Sequence, residues 1–141
     1  MTVRLKRVYE EPSRQDGTRV LVDRLWPRGL TKEAAGLDLW MKEIGPSNEL
    51  RKWYHAHLRQ WAEFRKRYLR ELSSEAANSA LQQLHELAEE KKGLTLLYGS
   101  KDVQQNHAAV LKQILEGERK PPTGTGKSGA VARAARTMRR R

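Results

Sequence analysis

The stretch RVLVDRLWPRG, residues 19–29, decides how the fold is read. It begins as a short, nearly continuous apolar run rich in β-formers. That is the pattern of a strand covered on both faces, not of one half exposed to water. Pro27 and Gly29 then punctuate it. A second run of the same kind, GLTLLYG at 93–99, is opened by Gly93 and closed by Gly99. Strands covered twice belong to parallel sheets, because the crossovers lay helices over the faces.

Working outward, VRLKRVY near the N-terminus alternates Val3, Leu5 and Arg7 against Arg4, Lys6 and Val8, and predicts a strand. EEPSRQDGT carries the turn chemistry of a loop. Thr31 caps a short helix through Ala35, which Gly36 ends. LDLWMKEI, residues 37–44, alternates again and predicts another strand. Ser47 is a helix cap, with Glu49 at the positive end of the helix dipole. Trp61, Phe64, Tyr68 and Leu72 form one helical stripe, and Leu81, Leu84, Leu87 and Ala88 form the next. Asn106 caps a last helix whose inward face is Val110, Leu111, Ile114 and Leu115. Strands separated by helices predict an α/β domain over residues 1–117, with a small, mainly parallel sheet flanked by helices in two or three layers.

The chain has 141 residues, one domain's worth, with 38% hydrophobic and 32% charged residues. It has no cysteine, which excludes disulfides, thiolate nucleophiles, cysteine-based zinc sites and iron–sulfur clusters. There is no H-E-x-x-H motif or Cys/His cluster, so neither a metal nor a cofactor is expected. MTVRLKRVYE has no signal-peptide core, and no apolar run nears the roughly 18 residues that span a membrane. A cytoplasmic protein without a membrane span is therefore expected.

The net charge of +11 is unevenly placed. Residues 119–141 hold eight basic side chains and no acidic one, while the other twenty basic residues face seventeen acidic ones. A basic, disordered tail is predicted over 118–141, with Val131 and Met138 as its only large apolar side chains. Inside it, PPTGTGKSGA at 121–130 imitates a phosphate loop, with Gly126, Lys127 and Ser128 in register but Pro121 where the first glycine belongs. A helix rather than a strand precedes it. Two prolines also stiffen the turn that would have to curl and remove amide donors from it. The segment reads as a linker.

Ligands in open α/β sheets gather beyond the carboxyl ends of the strands. Asp23, Arg24, Arg28 and Gly29 stand at one such end, and Ser100, Lys101 and Asp102 at another. Asn106 and His107 open the helix that follows, where free amides favour anions. Arg51 joins the set from a helix start that follows a strand. Arginine forks and a helix N-terminus suit a phosphate or carboxylate, and Asp102 with His107 permits acid–base work. An arginine–aspartate network that only fastens loops is the plain alternative. His55 and His57 suit the negative end of a helix. Trp26, Trp40, Trp53 and Trp61 would stack on bases or, more commonly, fill the core.

Four segments, VLVDRLWPRGLTKE, GPSNELRKWYH, EFRKRYLREL and LLYGSKDVQQNHAAVL, resemble in order the YeaO-like family of the domain-of-unknown-function 488 grouping. The resemblance spans residues 1–117. It implies a small bacterial-type α/β protein and brings no established activity. In wider relatives it implies cysteines at the places of Tyr98 and Asn106, so cysteine chemistry does not transfer, although His107 is retained. Two functions are compatible with the whole sequence. One is an enzyme or ligand-binding domain that takes an anionic small molecule at the strand ends. The other is a nucleic-acid-binding or regulatory protein acting through Arg133, Arg136, Arg139, Arg140 and Arg141.

Overall fold

The computed structural model describes residues 3–117. Four strands, β1 (Val3–Arg7), β2 (Thr18–Leu21), β3 (Leu39–Trp40) and β4 (Leu94–Tyr98), form one sheet in the order β1-β4-β2-β3. Every pairing is parallel. The helices are α1 (Lys32–Ala35), α2 (Asn48–His55), α3 (Trp61–Glu71), α4 (Glu75–Ala88) and α5 (His107–Gly117).

The two apolar runs take the positions their composition demands. β2 and β4 are buried at every residue, and β4 pairs with β1 on one side and β2 on the other. β2 is shorter than its apolar run suggests. Pairing ends at Leu21, and one further bond, from the Val22 amide to the Leu97 carbonyl at 3.0 Å, closes it. Leu25 is exposed. LDLWMKEI yields only the two-residue β3, followed by a tight 3-10 turn at Lys42–Ile44. That turn buries Ile44 beneath the helices, where a continued strand would have carried it along the sheet edge.

Side chains alternate across the sheet. Val20, Leu94, Leu96 and Tyr98 face the larger core, filled by Leu50, Phe64, Tyr68, Leu84 and Leu111 from α2–α5. Leu21 and Leu97 face a smaller one with Val8 and Ala35, bordered by Trp26 and Trp40. The two indoles meet edge to face at 5.3 Å, and each donates its N–H to a main-chain carbonyl. Trp53 stacks on His57, and Trp61 on Phe64. All four tryptophans therefore have packing partners, and each remains partly exposed.

Beneath the smaller core lies a charged cluster. The buried Asp16 carboxylate pairs with Arg19 and, at 3.0 Å, with Lys6. Arg19 also donates to the Gly36 carbonyl at 2.9 Å and the Ala35 carbonyl at 2.7 Å. Buried charges persist when paired and hydrogen-bonded in this way. Burial pushes the Asp16 carboxyl up, but Lys6, the Ser13 amide and Arg19 outweigh it and hold the group below its ordinary range.

The helix caps are where their residue types put them. Thr31 accepts from the Ala34 amide, Ser47 from Leu50 and Asn106 from Ala109. His57 Nδ1 lies 2.7 Å from the Trp53 carbonyl at the end of α2. Among the described residues no helix is long and apolar enough to cross a membrane. Residues 118–141 lie outside the described residues, and with them the basic tail, PPTGTGKSGA and the five arginines proposed for nucleic acid.

Candidate functional site

β1, β4 and β2 are neighbours, so the loops leaving their carboxyl ends meet on one edge of the sheet. Asp23 follows β2. Its Oδ2 accepts from the Gly99 amide just past β4, at 2.9 Å. A Cβ on Gly99 would stand 3.1 Å from that same oxygen, so glycine allows the close approach. Arg7 ends β1 and donates to the carbonyls of Gly99, at 3.1 Å, and Ser100, at 2.9 Å. Three strand ends are thereby stitched together by one carboxylate and one guanidinium.

His107 begins α5 and reaches this edge from it. Its Nε2 lies 3.0 Å from the Val22 carbonyl and 3.0 Å from Asp23 Oδ1. One N–H cannot point fully at both. Its direction favours the carbonyl, which leaves the buried Oδ1 in ion-pair range but without a directed hydrogen bond. The ring meets Tyr68 edge-on at 5.9 Å. Tyr68 is fully buried and donates to the Ile44 carbonyl at 2.6 Å. Burial first, and then the charges of Glu71 and Asp23, push its phenol well above the ordinary value.

The carboxylate beside His107 is thus Asp23 and not Asp102. Asp102 is exposed and accepts from the Gln104 and Gln105 amides, each at 2.9 Å. Those amides, Gln105 first, hold its carboxyl below the usual range. Asp102 is in effect a turn-forming residue. Ser100 accepts from the Asp102 amide at 3.1 Å, and Lys101 is exposed beside it. Asn106 is buried and closes the same loop, donating to the Asp102 carbonyl at 2.8 Å.

The arginines separate. Arg24 donates through Nε to the Pro46 carbonyl at 3.1 Å and through Nη2 to the Gly45 carbonyl at 2.7 Å. Arg28 is exposed, and its backbone carbonyl accepts from the Tyr9 hydroxyl at 3.0 Å. Arg51 is half-buried on α2, and its buried Nε has no hydrogen-bond partner among the described residues. Tyr54, one turn further along α2, is close enough to Asp102 to feel its charge. Burial and then that carboxylate push the Tyr54 phenol up. Arg51 lies one turn before Tyr54 on α2.

Tyr68, Glu71 and Ser47 escape a reading of the sequence for function. Glu71 accepts from the Ser47 amide at 2.8 Å and from the Ser47 hydroxyl at 2.6 Å. With Arg24 they line a pocket of about 230 Å³. Among the described residues no group of acidic and histidine side chains is placed to hold a metal ion.

Fold and strand-end geometry define a small α/β domain with a wholly parallel four-stranded sheet and a polar edge organised around Asp23 and His107. The chain belongs to the DUF488 grouping: residues 2–131 match the family described as "Inactive DUF488-N3 subclade". It is 48% identical over 115 residues to Uncharacterized protein YeaO of Escherichia coli (strain K12), covering 82% of this chain and 97% of that one. Over the same length it is 42% identical to Uncharacterized protein Rv3073c of Mycobacterium tuberculosis and Uncharacterized protein Mb3100c of Mycobacterium bovis, covering 94% of each. No solved structure matches the chain.

Proposed function

We propose that this protein is a binding domain that takes a small anion, phosphate or carboxylate, at the carboxyl edge of its sheet and does not make or break bonds there. One observation carries the reading: the buried Arg51 Nε, a charged donor without an acceptor among the described residues. Leaving such a donor unmet costs about 1–3 kcal/mol or more, and an anionic oxygen would meet it. Lys101 and the first turn of α5 add positive potential at the same edge. Binding is favoured over catalysis for three reasons. The chain has no cysteine, the only histidine at the edge has its Nε2 engaged by Val22 and Asp23, and the family description reads "inactive".

The test is an NMR titration of the full chain with inorganic phosphate and with acetate, following backbone amides. Saturable shifts at Lys101 and His107 are expected, weakened about tenfold or more in Arg51→Ala, in line with loss of one charged hydrogen bond. Absence of saturable shifts, or equal affinity in Arg51→Ala, refutes the reading.

A further inference from the structure

The pocket of about 230 Å³ between the Lys42–Ile44 turn and helices α3 and α4 is lined by side chains of both charges, and two of them, Glu71 and Arg24, are held in place by hydrogen bonds to main-chain groups. Glu71 is fixed from one side by the Ser47 amide and hydroxyl. Arg24 is fixed by donating Nε and Nη2 to the carbonyls of Pro46 and Gly45. That leaves the two N–H bonds of its Nη1 without a partner among the described residues. A carboxylate and a guanidinium lining one small cavity would ordinarily pair with each other. Among the described residues no ion pair joins Arg24 to Glu71, or to Glu43, which also lines the pocket.

The remaining lining includes Ile44, Leu72 and Ala77, which are apolar and buried. The volume falls below the ~300–1,000 Å³ of pockets that take drug-sized ligands. The geometry points to a site for a small zwitterion, a free aliphatic α-amino acid, with its carboxylate on Arg24, its ammonium on Glu71 and its side chain against Ile44, Leu72 and Ala77. The fixed charges cost no reorganisation on binding, and each would gain a charge-assisted hydrogen bond it does not have alone. The inference goes beyond the anion reading and uses other residues: Arg51 and Lys101 do not line this pocket.

Calorimetric titration of the full chain with L-alanine, L-valine and L-leucine tests it, with valinamide and N-acetylvaline as probes lacking one charge each. Saturable binding of at least one amino acid is expected below about 10 mM. Each analogue should bind about tenfold or more weakly, because each lacks one charged hydrogen bond. Glu71→Gln, which retains an acceptor for Ser47, should weaken the free amino acid about tenfold and leave N-acetylvaline unchanged. The analogue series on the unaltered protein decides the matter even if that variant is unstable. No saturable binding, analogues that bind as well as the parent, or a folded Glu71→Gln that binds the amino acid unchanged would each overturn the inference. Arg51→Ala should leave this binding intact, which separates it from the phosphate site.

Discussion

Replacing Tyr68 with phenylalanine removes one oxygen from the most enclosed aromatic side chain in the protein. Tyr68 has no exposed surface, and its hydroxyl donates to the Ile44 carbonyl at 2.6 Å in the buried 3-10 turn. Tyr68→Phe keeps the ring packed on Phe64 and His107 but leaves that carbonyl without its donor. The penalty for a stranded buried acceptor is about 1–3 kcal/mol, partly offset because the phenyl ring has no hydroxyl to desolvate. A loss of about 2 kcal/mol at neutral pH follows. With a urea m-value of about 1–3 kcal/mol/M, the midpoint should fall by about 1 M. The same substitution alters the alkaline limb. Burial, Glu71 and Asp23 hold the folded phenol well above its ordinary value, while in the unfolded chain it ionises near about 10. Above that pH the unfolded state gives up a proton that the folded state keeps. The native protein should lose up to about 1.4 kcal/mol per pH unit from this group alone. Tyr68→Phe lacks that loss, although Tyr54 and Tyr98, also pushed up chiefly by burial, still contribute in both proteins. Urea titrations at pH 7 and from about pH 9 to about pH 11 measure both effects. An unchanged midpoint together with an unchanged alkaline slope would refute the account of Tyr68 as a buried, hydrogen-bonded donor.

Asp16→Asn should cost about 3–5 kcal/mol at neutral pH, because it leaves the Arg19 and Lys6 charges without their carboxylate. Since the folded Asp16 carboxyl is held down, its contribution is present above the unfolded value of about 3.9 and disappears as pH falls through the folded one. The variant's acid denaturation should therefore be shallower than the parent's, which a pH series of urea midpoints reads directly. Gly17→Ala should destabilise by about 1–3 kcal/mol, because φ is +65° and the new Cβ would clash with the Lys92 carbonyl oxygen. A midpoint equal to the parent's would mean the 13–18 turn can shift away from Lys92.

Much of the fold is legible because it rests on local chemistry. The runs at 19–22 and 94–98 are apolar but for Arg19 and Thr95, and are buried throughout. Val3 and Leu5 pack toward the helices while Lys6 turns to Asp16 on the opposite face, as alternation requires. Thr31, Ser47 and Asn106 announce the helices they cap. The site is less legible because its decisive contacts join residues far apart in sequence. Nothing local pairs Asp23 with His107, or Ser47 with Glu71. Asp16 has the appearance of a turn residue, and it is one, through the Ser13 cap. It also anchors the buried Arg19 and the partly buried Lys6, which no spacing rule reveals. Arg24 looks like a free fork for a ligand, yet two of its donors are spent on Gly45 and Pro46. Arg51 differs: only the packed structure shows that its Nε is buried and unmet.

The strand order also constrains how the chain comes together. β4 is the last strand to be made among the described residues, yet it lies between β1 and β2, and those two never touch through main-chain bonds. Until residues 94–98 emerge, β1 and β2 have no partner for the edges that will finally face each other across β4. Hairpin-like nucleation is impossible in such a sheet. Apart from the short β2–β3 pairing of Val20 with Leu39, its pairings, Val3 with Leu94 and Thr18 with Leu94, must close loops of most of the domain's length. Folding should accordingly be slow for so small a domain, complete the sheet only once β4 is present, and pass through a stage in which two bare strand edges are open to other chains.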